Sequence, residues 1–157
     1  MYHWKTTLPL APVLDLLVDR LRPILPHAGD DVEDLLRQAL AIIAIDETPE
    51  DPALSTRLAW QRRQRQVADA ADRALRDVLE GDTLDTESRR FLETWLGNRI
   101  TGLPAHCRTP LRLRYGLRME SDEVTVKLGH KGAVHHRTVP ACTPLLAADL
   151  LAAALDD

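Results

Sequence analysis

Leu111-Arg112-Leu113-Arg114-Tyr115-Gly116-Leu117-Arg118-Met119 is the stretch on which the fold of this chain turns. Leu111, Leu113, Tyr115, Leu117 and Met119 occupy one phase of a two-residue repeat, and Arg112, Arg114 and Arg118 the other. That alternation predicts a half-buried strand. Residues 123–128 and 133–139 repeat the pattern with Val, Thr and Leu. Ser121-Asp122 and His130-Lys131-Gly132 supply turn residues between them. The result is a three-stranded antiparallel meander with an apolar face of Leu113, Tyr115, Leu117, Val124, Val126 and Leu128. Such a face requires cover. A helix over residues 144–155, capped by Thr143, is apolar on one side and close in sequence.

Upstream the period is helical. Pro12 suits a first helical turn, where its missing N–H is harmless. Val13, Leu14, Leu17, Val18 and Leu21 follow as one stripe, and Pro23 and Pro26 end it. Asp30 or Asp31 then caps a helix carrying Val32, Leu35, Leu36, Ala39, Leu40 and Ile43. Residues 46–52 are acidic, hold two prolines, and read as a loop. A long helix is expected over 52–80, with Gly81 as a left-handed cap. Another starts at Thr83 or Asp85 and carries Phe91, Leu92, Trp95, Leu96 and Ile100. Residues 102–110 form a connector with two prolines. The expected fold class is therefore α+β and mainly helical: four N-terminal helices, a small sheet and a C-terminal helix. It is one domain over 1–157, with a helical bundle (1–101) and a βββα unit (111–157) as sub-units.

Composition narrows the class without naming a function. The chain has 157 residues, 45% apolar and 28% charged, with a net charge of -4, as in ordinary soluble domains. Aromatics make up only 4%, so Leu, Val, Ile and Ala must build the core. Charge is uneven. Residues 104–140 hold seven Lys or Arg against three acids, a balance of +4, while residues 1–103 sum to -5. Basic positions are 17 Arg and three Lys amid abundant Ala, Leu and Asp, a bias of high-GC bacterial coding. No apolar run is long enough to span a bilayer, and nothing resembles a secretory leader. Two cysteines make no disulfide framework. A reduced, cytoplasmic protein with no membrane contact is expected.

Four groups of residues could carry chemistry. The basic sheet face would present Arg112, Arg114, Arg118 and Lys127, with Lys131 and Arg137 at its margin. Guanidinium forks pair with carboxylate or phosphate, so this face is either a solvated strand surface guarded against edge pairing or a contact that suits an acidic protein before nucleic acid. His106, Cys107, His130, His135, His136 and Cys142 are zinc-type ligands, but none falls in a C-x2-C or H-x3-H pair, and no metal or cofactor is expected. Asp30, Asp31, Glu33 and Asp34 are explained by a helix start. Arg57, Arg62, Arg63 and Arg65 surround Trp60 on the long helix, as a solvated face or a partner helix. Phosphate loops and G-x-S-x-G are absent. The expected function is a non-catalytic bacterial interaction module: an adaptor, accessory subunit or regulator. The Ala-rich helix over 52–80 offers a homodimer seam. The alternatives are a nucleic-acid-associated regulator and a small Cys/His enzyme.

Overall fold

The computed structural model describes residues 10–26, 29, 31–44, 54–128 and 138–155. Among the described residues, seven α-helices and one π-helical turn account for the regular structure and there is no strand. The α+β expectation is thereby overturned. Residues 111–119 wind into helix and then a loop, and residues 123–127 lie in a short helix. Of the third expected strand, Thr138 and Val139 open the last helix, and the rest lies outside the described residues.

The aliphatic helices follow their sequence period. α1 (Ala11–Leu21) starts on Pro12 and buries Val13, Leu14, Leu17, Val18 and Leu21. In α2 (Val32–Ala44), Asp31 is the cap: its carboxylate accepts the Glu33 N–H at 3.0 Å. α3 (Leu54–Glu80) stops where expected, though Gly81 does not close it through a left-handed backbone, since Gly29 is the described glycine with positive φ. Gly81 is needed for another reason: a Cβ there would sit 2.8 Å from the Asp77 carbonyl oxygen. The guanidinium of Arg89 donates to the Leu79 and Gly81 carbonyls at 2.8 and 2.5 Å, placing a cation at the negative end of the helix. α4 (Thr86–Thr101) is capped by Asp85, which accepts from the Ser88 N–H at 2.7 Å. That bond holds the Asp85 carboxyl below its usual range.

α5 (Ala105–Leu111) occupies the expected connector and runs into the π turn, Arg112–Gly116. α6 (Ser121–Lys127) follows, then α7 (Thr138–Leu155). α7 begins six residues before the expected start, so Thr143 lies inside it rather than at its cap. The Thr143 hydroxyl donates to the Pro140 carbonyl at 3.5 Å, the acceptor that the missing N–H of Pro144 leaves free. α7 packs against α2, α3, α4, α5 and α6. Its Cys142, Leu146, Ala147, Leu150 and Leu151 are buried in one core that also takes in Leu14, Leu35, Leu75 and Leu92. Ala68, Ala70, Ala71 and Ala74 of α3 are buried too, so the close approach those alanines allow is used within the chain.

Candidate functional site

The misread stretch is held by ions rather than by a greasy face. Leu111, Arg114 and Tyr115 turn inward at helical spacing, and Arg114 is only 9% exposed. Its guanidinium grips Asp72 of α3 with two parallel bonds, Nε to Oδ1 at 3.1 Å and Nη2 to Oδ2 at 2.7 Å. The Tyr115 hydroxyl donates to the same Oδ1 at 2.5 Å. One turn along α3, Arg76 (6% exposed) donates to the Met119 carbonyl at 3.0 Å, the Arg118 carbonyl at 3.2 Å and Glu120 at 3.1 Å. Glu80, a further turn on, accepts from Arg76 at 2.5 Å. Taking guanidiniums out of water costs several kcal/mol each unless every donor is used. Here Nε, Nη1 and Nη2 of both arginines have acceptors.

Charge and burial show in the titration of these groups. Burial alone would lower the Arg114 pKa, but the Asp72 hydrogen bond and charge outweigh it and raise it. Burial, with the Asp72 carboxylate beside it, pushes the Tyr115 phenol well above its usual 10.0. Partial burial and repulsion from Asp72 raise the Asp69 carboxyl, against the pull of Arg73, Arg65 and Arg114.

The π turn closes with Leu117 N–H donating to the Arg112 carbonyl at 3.3 Å and Met119 N–H to that of Leu113 at 3.1 Å. Between them Arg118 takes φ +60°, the one positive-φ non-glycine among the described residues. That conformation costs an L-residue about 1–2 kcal/mol. Bonds on both sides offset it. Arg76 holds the Arg118 carbonyl, while the Arg118 guanidinium donates to the Tyr115 and Gly116 carbonyls and to Glu93 at 3.2 Å.

The opposite side of this anchored segment forms a groove of about 120 Å³ against α4. Leu96, Gly97 and Ile100 line it from α4, with Tyr115 and Gly116 facing them. Glu93, Arg112 and Arg118 give it a charged rim. A Cβ at either Gly97 or Gly116 would meet nothing within 4 Å. Leu117, between two lining residues, is 67% exposed. Tyr115 serves both sides: its hydroxyl is tied to Asp72 while the residue lines the groove.

The residues expected to form a basic face are dispersed, because the sheet that would array them does not form. Arg114 points inward to Asp72. Arg112 and Arg118 share the groove, Arg112 donating to the Thr101 hydroxyl at 3.3 Å. Lys127 is exposed at the end of α6, and Lys131 and Arg137 lie outside the described residues. Against the reduced state expected of them, Cys107 and Cys142 form a disulfide between α5 and α7, with Cα atoms 5.5 Å apart. His106 lies beside it, and His130, His135 and His136 fall outside the described residues. Of the acidic run, Asp31 caps α2 and Glu33 pairs with Arg37 at 3.0 Å. On the long helix, Arg62 and Arg65 are exposed and Trp60 is half-buried.

Sequence reasoning missed Asp72, Arg76, Glu120, Glu93 and Gly97. One signal was present: Asp72, Arg76 and Glu80 recur every four residues beside Ala71, Leu75 and Leu79, a charged stripe along the edge of an apolar one. Among the described residues no helix is long and apolar enough to cross a membrane. Comparison of the chain with protein-family models, with characterised proteins and with solved structures finds no match.

Proposed function

We propose that this chain is a non-catalytic protein-interaction module, an adaptor, accessory subunit or regulator, that docks an apolar segment with an acidic flank into the groove between α4 and the π turn. The observation that carries this reading is the pair of glycines at the groove. Glycine inside a helix costs roughly 0.5–1 kcal/mol relative to alanine. At Gly97 no neighbour within the chain needs the missing side chain. Space of that kind suits the close approach of another backbone. Leu117, next in the chain to the lining residues Gly116 and Arg118, is exposed, and Arg112 and Arg118 outnumber Glu93 on the rim, which favours a partner carrying acids.

A photo-crosslinking residue at Leu117, with one at the exposed Gln38 of α2 as control, tests this in the source cell. The expected outcome is a discrete protein adduct from position 117 alone, lost when Gly97→Trp fills the groove. Adducts to nucleic acid, or equal labelling from both positions, would refute it. The setting we propose is the bacterial cytoplasm, on the compositional bias of 17 Arg against three Lys. There thiol systems keep most cysteine pairs reduced, which bears on the disulfide.

A further inference from the structure

We infer that His106, Cys107 and Cys142 form a binding site for a thiophilic divalent cation of the zinc class when the Cys107–Cys142 disulfide is reduced. The two sulfurs and one imidazole nitrogen all lie within 4.8 Å of one another. Two thiolates and an imidazole are a zinc donor set that leaves one tetrahedral position open. Around such an ion, neighbouring ligand atoms stand about 3.3–3.8 Å apart. Cysteine Cα atoms 5.5 Å apart accommodate that spacing by side-chain rotation.

Burial decides what can occupy the site. Cys107 and Cys142 are 0% and 1% exposed, and two bare thiolates in such surroundings are unfavourable. A disulfide is neutral, and so is a divalent cation held by two thiolates. A pair of protonated thiols is neutral too but leaves the helices unlinked; the disulfide and the metal are the two uncharged states that tie α5 to α7. His106 is exposed, so it marks the route by which a cation enters and the side on which water completes the coordination.

The exchange balances as follows. A dithiol reductant passes two electrons and two protons to the disulfide, giving two thiols and an oxidised reductant. The cation then binds both sulfurs and releases the two protons. A peroxide or disulfide oxidant reverses the sequence, removing two electrons and ejecting the metal.

The experiment uses the full chain, reduced with a phosphine under anaerobic conditions, freed of reductant and titrated with Co(II). The expected result is one Co(II) per chain, with thiolate-to-cobalt charge-transfer bands and the strong visible bands of tetrahedral cobalt, displaced by Zn(II). The oxidised chain should show neither band. His106→Ala, a change at an exposed position, should keep the thiolate bands and weaken Co(II) binding by at least about tenfold. Cys142→Ser should lose the bands. A reduced wild-type chain without charge-transfer bands overturns the site. So does equal Co(II) affinity in His106→Ala, or equal binding by the oxidised chain.

Discussion

The contact of α7 with α2 and the contact of residues 112–120 with α3 do the same structural job with opposite chemistry. In the first, Leu35 and Leu36 of one helix and Leu146 and Leu150 of the other are fully buried. Such contacts are non-directional and tolerate change as long as volume is kept. In the second, Arg76 and Arg114 are buried among Asp72, Glu120 and backbone carbonyls. That contact specifies one register of one segment, because each guanidinium has a fixed fork of donors. An aliphatic seam supplies bulk stability. An ionic seam sets the path of the chain, including the left-handed Arg118, and with it the shape of the groove.

Removing one partner of the ionic seam should be the largest single perturbation. Asp72→Ala leaves the Arg114 guanidinium buried without its carboxylate, and a loss of about 3–5 kcal/mol is expected in chemical denaturation. Asp72→Leu combined with Arg114→Met and Tyr115→Phe, which makes all three joined groups apolar, should recover most of it. If the triple variant were as unstable as Asp72→Ala, the groups joined at Asp72 would not account for the loss. On the aliphatic side, Leu146→Ala should cost about 2–5 kcal/mol and leave proteolytic protection at 112–120 unchanged in native conditions. Protection lost there would mean that the two seams are not separable.

Tyr115→Phe is gentler, because Arg114 still satisfies Asp72. The loss of a hydrogen bond to a charged group predicts about 1.5–3 kcal/mol. The same residue sets an alkaline limit. Its pKa is raised in the folded state above the 10.0 of the unfolded chain. The stabilisation is therefore whole below pH 10 and is lost as pH climbs toward the folded-state value. Wild type should fall more steeply above pH 10 than Tyr115→Phe, as read by denaturant midpoints across pH; parallel curves would remove the phenol from the account. The smallest effect is expected at the groove, where Gly97→Ala should stabilise α4 by about 0.5–1 kcal/mol. Destabilisation there would show that the space at Gly97 is used within the chain.

The aliphatic seam was legible in the sequence and the ionic one was not. Val13, Leu14, Leu17, Val18 and Leu21 announce a helix on their own, and Asp31 and Asp85 mark helix starts by local chemistry. In residues 111–119, strict alternation fits a strand as long as every Arg is assigned to solvent. Leu111, Arg114 and Tyr115 fit a helix once Arg114 is allowed inside, and what allows it inside is Asp72, 42 residues earlier. In α6, Val124, Thr125 and Val126 favour a strand, yet Val124 is buried and Val126 is 80% exposed on a helix, so tertiary context overrides propensity. The groove was invisible for the same reason, since it exists only once α4 and the π turn meet.

The central position of α7 also has a bearing on synthesis. Of the described helices it leaves the ribosome last, yet five of the other six pack against it. Nascent chains stalled before Thr138 should stay open to protease throughout α2 and α3 and close within one cooperative step once Leu155 has emerged. Birth order and architecture run in opposite directions here, so the growing polypeptide carries exposed leucines until α7 has emerged.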